Sequence, residues 1–368
     1  MAPRSRTKVF SAPKGTGGRF GATWGGHQMT TGYATCTDIT GPGDCAPFSV
    51  HKVTLDGGRF SQGIEGSYWS PWFKDYIADV FENLDNFPHL SVDDGGLPDT
   101  ALATMAAQRS NPSRPYVDVP TMLFELKDWI PLIRDRGREI LRGDFVNRAG
   151  QTNLMYQFGI APLVGDVIKA ANFHEQAQRR VQEFRRLTSE RGLRRTMTLG
   201  SYSKTEVRNQ VYQSVGTYMV GTFYYTTTIT IRGHCRWLPD GNVLSLMAPD
   251  EMRQLANSVV RGLTIDPSTV WELVPWSWLV DWFSNIGSYL AANRNTVPAT
   301  LSGVHIMRHT RTQVLMPGGS FSDVTIGNVN LIRETKTRAP SFVTPVAHFP
   351  FLSGKQVGIL ASLAVARR

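Results

Sequence analysis

The segment at residues 270–287 reads VWELVPWSWLVDWFSNIG and holds four of the nine tryptophans in the chain. Pro275 lacks an amide proton and clashes with the preceding turn, so the helix that carries Trp271 should end or kink there. After Trp276 the apolar residues recur at three- and four-residue spacing, which is typical of a helix with one buried face. We therefore predict a core helix, with Leu279, Trp282, Phe283, Ile286 and Leu290 on its apolar face and Ser277, Asp281, Ser284 and Ser288 opposite.

Strand and helix signals alternate in the first half of the chain. Residues 1–68 are rich in Gly and Thr and carry short alternating runs, which predicts strands and loops. Ser70 followed by Pro71 is a helix-start signal, so we predict a helix over residues 70–86. Further helices are predicted over residues 98–109, over 120–136, and from Pro162 to about residue 187, where one apolar stripe runs along a long helix.

The hydrophobic period changes to two in residues 196–237. The odd-numbered residues of 222–231 share one face of the predicted strand and the even-numbered residues share the other. Both faces carry large β-forming side chains, so we predict a long, central strand. A helical return over 249–293 follows, and residues 304–316 and 321–333 predict a β-hairpin around Pro317-Gly318-Gly319, with a bulge at Gly327-Asn328.

These patterns predict an α+β protein with a helix bundle at one end and an antiparallel β-sheet region at the other. The expected segments are 1–68 (β-rich N-terminal part), 69–190 (helical), 191–240 (strands of the β region), 241–295 (helical, with the Trp-rich helix), 296–345 (hairpin of the β region) and 346–368 (C-terminal segment).

The composition is that of a basic globular chain. Of 368 residues, 41% are hydrophobic and 19% charged, and the net charge of +9 gives a sequence pI of about 9.6. This balance favours a polyanionic partner, although net charge also serves ordinary solubility. Cations concentrate before Asp38, between Arg179 and Arg195, and after residue 300. The three concentrations can serve one function only if the fold brings them to one side.

Arginine clusters are the main candidates for a binding site, because the guanidinium group matches the geometry of phosphate. One cluster flanks the apolar stripe of the long helix and continues past its end, and the other lies on or beside the predicted hairpin. A solvated charged face is the alternative for each residue, and Glu175 can pair with Arg179. The candidate RNA-binding residues are Arg179, Arg180, Arg185, Arg186, Arg191, Arg194, Arg195, Arg308, Arg311, Arg333, Lys336 and Arg338.

Catalytic and metal-binding patterns are missing from the sequence. The residues around Lys355 lack the glycine spacing of a phosphate-binding loop. His174 lies on the helix stripe without a nearby partner at metal-ligand spacing, which favours a core histidine. Asp166 and Asp281 each lack a partner for acid–base catalysis, so we predict that both are structural, hydrogen-bonded helix residues. We expect no enzyme activity, no cofactor, no metal and no small-molecule substrate.

The three cysteines and the hydropathy profile add two expectations. Cys36 and Cys45 flank a turn-rich loop, and the sequence leaves open whether they form a disulfide or remain two free thiols. Cys235 is predicted to be a buried or half-buried thiol. The N-terminal segment has no apolar region of the kind that a secretory signal needs. The most apolar window is interrupted by Glu272, Pro275 and Asp281, so we predict no transmembrane segment.

Two blocks of sequence resemble the recurrent blocks of one viral family, and they occur in that family's order with a β-rich stretch between them. The first lies in 154–167 (LMYQFGIAPLVGDV) and the second in 275–287. The family is that of the maturation, or attachment, proteins of small single-stranded RNA bacteriophages (levivirus-like). The matching residues are Tyr156, Gln157, Phe158, Gly159, Pro162, Leu163 and Asp166, then Pro275, Trp276, Ser277, Asp281, Trp282, Phe283, Asn285 and Gly287.

The resemblance implies a bent, elongated molecule with an α part and a β part. It implies one monomeric copy per virion, in place of a coat-protein dimer, assembled in the host cytoplasm. It also implies binding to structured genomic RNA near the 3′ end, attachment to a host pilus, and entry of the protein with the RNA. Tyr202, Tyr212, Tyr218 and Tyr224 lie close in sequence to the arginines and are expected to include exposed rings for stacking on unpaired bases.

Two other function classes are open at this point. A cellular basic RNA-binding protein that never enters a capsid would have the same composition, and co-sedimentation with particles would distinguish it. A phosphoryl-transfer or nuclease enzyme acting on RNA is disfavoured because clustered carboxylates are missing. Metal-dependent cleavage of RNA would restore that third class.

Overall fold

The computed structural model describes residues 2–40, 46–116, 173–263, 266–274, 277, 280–281 and 284–345. The chain divides into two compact units, each formed by three stretches. We call residues 1–96, 198–233 and 305–340 the sheet unit, and residues 97–197, 234–304 and 341–368 the helical unit. The six segments predicted from the sequence divide the chain differently and remain a prediction.

The described strands, in chain order, are β1 (Ala2–Pro13), β2 (Thr16–Arg19), β3 (Ala22–Gly25), β4 (Gln28–Thr40), β5 (Phe48–Gly57), β6 (Arg59–Gln62), β7 (Trp72–Ile77), β8 (Leu193–Gln213), β9 (Met219–Pro239), β10 (Ala299–Met316), β11 (Gly319–Phe321), β12 (Val324–Ile326) and β13 (Val329–Ser341). The described helices are α1 (Asp99–Ser110), α2 (Phe173–Leu187), α3 (Val243–Leu246), α4 (Pro249–Val260), α5 (Pro267–Leu273) and α6 (Ile286–Ala292). Short 3₁₀ turns lie at Asp79–Phe81 and Leu84–Asn86.

The strands form two antiparallel sheets. The larger has seven strands in the order β1-β4-β5-β13-β10-β9-β8, and the smaller has six in the order β11-β12-β6-β7-β2-β3. The fold is therefore mixed α and β, as predicted, with antiparallel sheets. In the sheet unit, side chains from both sheets and from the two 3₁₀ turns meet in one aromatic-rich core that includes Phe60, Phe73, Phe81, Phe87 and Phe223.

The alternating segment 196–237 forms two long strands, β8 and β9. Strand β9 lies inside the larger sheet, between β10 and β8, as its length and alternation predict. Only one of its faces is buried, however: Phe223 and Tyr225 are in the core, whereas Thr222 and Tyr224 are exposed. In β9, therefore, large β-forming side chains occur on both faces although only one face is buried.

The helix predicted over residues 70–86 is wrong. This segment contains strand β7, inside the smaller sheet, and the two 3₁₀ turns. The buried residues of β7 come in pairs, Trp72-Phe73 and Tyr76-Ile77, a spacing that a helix face also shows. In the strand, Asp75, with φ of 47°, interrupts the alternation, and the two buried pairs flank the exposed Lys74 and Asp75.

The hairpin predicted after residue 300 is present, but its turn is longer than the sequence suggested. Strands β10 and β13 pair in the larger sheet, and the chain between them adds β11 and β12 to the smaller one. The predicted bulge at Gly327-Asn328 is the point where the chain passes between sheets. There Gly58 donates its N–H to the Asn328 carbonyl at 3.2 Å, and Gly327 donates to the Arg59 carbonyl at 2.8 Å.

In the helical unit, the predicted helix over 98–109 is confirmed by α1. Asn111, just after this helix, is buried and donates its side-chain N–H to the carbonyls of Ala291, Ala292 and Arg294 at 3.0–3.2 Å. Helices pack pairwise, α1 on α6, α2 on α4 and α5 on α6. The helix bundle predicted from the sequence is not shown by these pairs.

Helix α5 ends at Leu273, and Val274 is extended, with φ of −71° and ψ of 125°. The predicted helix break before Pro275 is therefore confirmed, since a residue before proline avoids the helical region. Ser277, predicted on the polar face, is buried. Among the described helices, none is long and apolar enough to cross a membrane.

Some predictions fall outside the described residues. They are the helix over 120–136, the first family block with Tyr156, Phe158, Gly159, Pro162 and Asp166, the positions Pro275, Trp276, Leu279, Trp282 and Phe283, the partner cysteine Cys45, and the segment 346–368.

Candidate nucleic-acid interfaces

Helix α2 presents arginines on its exposed side. Arg179, Arg185 and Arg186 are exposed, and Arg179 pairs with Glu175 at 2.5 Å, one helical turn earlier, as predicted. Such exposed pairs contribute little to stability, so phosphate can compete for the guanidinium. We define Arg179, Arg185 and Arg186 as the helix surface. Their contact with RNA remains a prediction.

Arg180, on the opposite side of the same helix, is buried and has a structural role. Its Nη1 lies 2.9 Å from Glu183 Oε2, and it donates to the carbonyls of Pro112 and Arg114 at 3.2 and 2.7 Å. Burial lowers the pKa of Arg180. Because its N–H groups are used inside the protein, we remove Arg180 from the candidate RNA-binding set.

Glu183 is shared by three arginines, Arg114, Arg180 and Arg195. Burial acts to raise the pKa of Glu183, but attraction to the three guanidinium groups outweighs it and holds the pKa below its ordinary value. Burial, followed by repulsion from Arg180, lowers the pKa of Arg114 to about 9. Arg195, another predicted RNA contact, is thus held by Glu183 and is about one-quarter exposed (28%).

The remaining arginines of this cluster lie beyond the helix, at the start of β8. Arg191 and Arg194 are exposed. Arg236 Nε donates a hydrogen bond of 3.0 Å to the backbone carbonyl of Arg191, and this bond does not involve the Arg191 guanidinium group. Both residues stay in the proposed set.

A second basic surface lies on the outward face of the seven-stranded sheet. Directly opposed residues of antiparallel strands share a face, so the register defines three rows. The rows run across β1, β4, β5 and β13: Arg4, Asp38, Phe48 and Arg338; Arg6, Cys36, Val50 and Lys336; and Lys8, Ala34, Lys52 and Glu334. The N-terminal and C-terminal basic stretches, more than 300 residues apart in sequence, therefore meet on one face.

Strand β10 extends this face. His309 Nε2 lies 3.1 Å from Glu334 Oε1, and Gln313 Nε2 lies 3.0 Å from Asn330 Oδ1, so both residues are on this face. Side chains alternate along a strand, so Arg311, which lies between them, is on the same face. The basic sheet face comprises Arg4, Arg6, Lys8, Lys52, Arg311, Lys336 and Arg338, with Asp38, Asp56 and Glu334 as the carboxylates on these strands.

Ion pairs on the basic sheet face leave its cations accessible. Arg4 donates to Asp38 at 2.9 and 2.5 Å, which lowers the pKa of that carboxyl, yet about half of the Arg4 side chain (49%) is exposed. Lys336 Nζ lies 3.8 Å from Glu334 Oε1. Arg338 donates to the Ala46 carbonyl at 2.8 Å and lies over the Phe48 ring. The N-terminal cations were not among the predicted site residues, because only the register connects them to β13.

Arg333, one of the predicted contacts, points into the sheet unit instead. It is buried and donates to the carbonyls of Phe87 and Leu84 at 2.8 and 2.7 Å and to Asp85 Oδ1 at 2.9 Å. Its position follows from the alternation of β13, in which Val329, Leu331 and Arg333 are all on the core face. We remove Arg333 from the candidate set. Arg308 alternates with the buried Ile306 and is half-buried on that side of β10, away from the basic sheet face.

The tyrosines near the arginines and two of the cysteines differ in exposure. The four tyrosines include exposed rings, as expected: Tyr218 and Tyr224 are exposed, whereas Tyr202 is half-buried and Tyr212 is buried. Cys235 is buried, as predicted, and burial raises the pKa of its thiol to about 11. Cys36 is a free thiol.

The described residues of the second family block have structural roles. Asp281 accepts hydrogen bonds from Trp271 Nε1 at 3.2 Å and from the Gly287 N–H at 2.9 Å, as predicted for a structural carboxylate. A Cβ at Gly287 would lie 2.5 Å from Asp281 Oδ2, which explains the glycine. Asn285 donates to the Thr344 carbonyl at 3.1 Å. Among the described residues, no group of three His, Cys, Asp or Glu side chains could hold a metal ion.

The geometry thus defines a basic protein of mixed α and β structure, with exposed cations that suit a polyanionic partner. The family model for phage maturation proteins matches residues 143–337, more than half of the chain and both motif blocks. The chain belongs to the phage maturation protein family, whose members are virion components. A search of curated proteins finds no match.

Proposed function

We propose that this protein is a single-copy virion component that binds phage genomic RNA near its 3′ end. The observation that carries the proposal is the register that gathers Arg4, Arg6, Lys336 and Arg338 on one sheet face, in a chain of the phage maturation family. Cations on alternate residues of a strand repeat about every 6.8 Å and can follow a phosphate backbone.

The helix surface is the second part of the proposed interface. Arg179, Arg185 and Arg186, with Arg191 and Arg194 beyond the helix, are exposed on the helical unit. Phosphate contacts carry no base identity, so these arginines supply affinity rather than selectivity. Selectivity for a folded RNA comes from unpaired bases and from shape, and Tyr224, on the outward face of β9, is an exposed ring for stacking.

A pull-down with RNA fragments tiled across the phage genome tests this proposal. At salt high enough to suppress non-specific binding, we expect a hairpin fragment near the 3′ end to be recovered in preference to a scrambled RNA of equal length. Equal recovery of all fragments at that salt would favour a generic RNA-binding protein. Family membership already supports the phage role over that alternative.

The roles in capsid assembly and host attachment are part of the same proposal. The protein would replace a coat-protein dimer, attach the particle to a host pilus and enter with the RNA; membership in the maturation family supports these roles. Quantitative mass spectrometry of purified particles should give one copy per particle. Particles lacking the protein should fail to adsorb to piliated cells, and adsorption equal to that of complete particles would contradict the attachment role.

A further inference from the structure

A polar groove lies between helices α2 and α4 of the helical unit. Its volume is about 520 Å³, within the range of pockets that hold small ligands. Helix α2 contributes His174, Gln178, Gln182 and Arg185, and helix α4 contributes Arg253 and Asn257. The residues of each helix are three or four positions apart, so they align along the two walls.

The groove offers cations and amides without a carboxylate in its lining. Within the described part of the chain, Arg185 makes no ion pair, and Arg253 pairs only with the exposed Asp250, at 3.3 Å. Among the same residues, the side-chain amides of Gln182 and Asn257 make no hydrogen bond, and both are exposed. Two guanidinium groups suit a phosphate, and a free amide presents a donor and an acceptor together.

The position of the groove connects it to the helix surface. Arg186 follows Gln182 by one helical turn, and Arg179 precedes it by three residues, so both arginines flank the Gln182 wall. An RNA backbone that follows these exposed arginines would pass the mouth of the groove. A single unpaired nucleotide could then turn into it, with its phosphate near the arginines and its base edge near the amides.

We propose that the groove binds one unpaired adenine nucleotide of the RNA, with the phosphate at Arg185 and Arg253 and the base edge at Gln182 and Asn257. On its Hoogsteen edge adenine carries the N7 acceptor beside the N6 amino group, which an Asn or Gln amide matches in a bidentate pair, and the other three bases lack this combination on that edge. This inference rests on the RNA binding proposed above and names the part of that interface that reads a base.

The test uses the full-length protein and fluorescence anisotropy with labelled 12-nucleotide oligo(A) and oligo(U) at elevated salt. We expect oligo(A) to bind about tenfold more tightly, the effect of one good bidentate pair. The double variant Gln182→Ala/Asn257→Ala should lose this preference while its oligo(U) affinity is unchanged. Gln254→Ala, an exposed glutamine of α4 outside the groove lining, is the matched control and should keep the preference.

A second variant separates the phosphate contacts from the base contacts. Arg185→Gln/Arg253→Gln should weaken both oligonucleotides by the same factor and leave their ratio intact. If the wild-type protein binds both oligonucleotides equally, or if the amide variant retains the preference, the groove proposal is overturned and the RNA-binding proposal stands. If the wild-type protein binds no RNA, both are overturned. Circular dichroism of each variant checks that its fold is unchanged.

Discussion

The basic sheet face and the helix surface present their cations to a partner in different ways. On the sheet face, Arg4, Arg6 and Lys336 lie in register with carboxylates and apolar residues of neighbouring strands. A largely apolar pocket of about 650 Å³ lies there, and its lining includes Arg4, Phe48 and Arg338. On the helix surface, the arginines border a groove whose lining includes the amides of Gln182 and Asn257. The first arrangement offers cations beside apolar side chains, and the second adds side-chain amides, which can read a base edge.

The two units differ in how their buried arginines are paired. In the sheet unit, Arg333 is held by two backbone carbonyls and by Asp85, whose side chain is largely exposed (68%). In the helical unit, Glu183 is the shared partner of three arginines. An arginine-rich sequence thus gives two kinds of residue, those that hold the fold and those that face solvent, and only the second kind can serve a partner.

The largest effect is expected from Glu183→Gln. It leaves Arg114, Arg180 and Arg195 without their shared counter-charge in a partly buried site, so the free energy of unfolding should fall by about 3–5 kcal/mol. Urea unfolding monitored by hydrogen exchange of the α2 amides measures the loss of stability. Glu175→Gln on the same helix, which removes only an exposed pair, is the control. A loss no larger than that of the control would show that the three arginines do not need Glu183.

A smaller loss, about 2–3 kcal/mol, is expected from Arg333→Met in the sheet unit. The carbonyls of Leu84 and Phe87 would lose their donors, whereas the exposed Asp85 would return to water. Lys336→Met, on the outward face of the same strand, should change stability by less than about 0.5 kcal/mol. Urea unfolding compares the two. Equal effects would contradict the assignment of Arg333 to the interior.

The two units should also respond differently to acid. His89 is hydrogen-bonded to Thr312 and Thr335, and burial, followed by repulsion from Arg333, lowers the pKa of His89 to about 4. The unfolded chain binds a proton below about pH 6.5 and the folded chain does not, so stability falls as the pH drops from about 6.5 to 4. Glu183, whose pKa is lowered, keeps its contribution until the pH falls below the ordinary range of a carboxyl.

Hydrogen exchange at pH 7 and pH 5 measures this difference. Protection of β10 and β13 should weaken by about 1–2 kcal/mol after allowance for partial exposure of His89, while protection of α2 is retained. His89→Gln should remove the step in the sheet unit. If the variant shows a loss of protection of the same size between pH 7 and pH 5, groups other than His89 cause it.

The smallest effect is expected at Cys36. This thiol is free, and Arg6 Nη2 lies 3.5 Å from its sulfur. Cys36→Ser should change stability by less than about 0.5 kcal/mol and leave RNA binding unchanged, since serine preserves the size and the polar contact. A large loss of stability, together with a mobility shift under reducing conditions, would indicate a disulfide with Cys45.

Local signals predicted some parts of the fold well. The helix at residues 98–109 and the break before Pro275 depend on neighbouring residues, and both are present. The helix predicted over residues 70–86 is wrong because paired apolar residues fit a helix face as well as a strand with an interrupted alternation. Only pairing with β6 and β2 on either side decides between the two structures.

The candidate site could be predicted only in part for a related reason. Sequence identifies which residues are arginines but not which face of an element is covered, so Arg180 and Arg333 were grouped with exposed neighbours. Arg4 and Arg6 share a sheet face with Lys336 because of the strand order, and no local sequence pattern predicts that order. The amide groove likewise depends on the packing of α2 against α4.

The salt dependence of RNA binding tests the central claim, that the exposed cations of both surfaces contact phosphate. Three double variants add the same charge: Arg6→Glu/Lys336→Glu on the sheet face, Arg185→Glu/Arg186→Glu on the helix surface, and Lys74→Glu/Lys204→Glu at exposed lysines outside both. In a plot of log affinity against log salt for genomic RNA, each of the first two should flatten the slope by about 0.7 for each phosphate that the variant no longer neutralises. The third should leave the slope close to that of the wild type. Slopes that do not differ among the three variants would contradict the account.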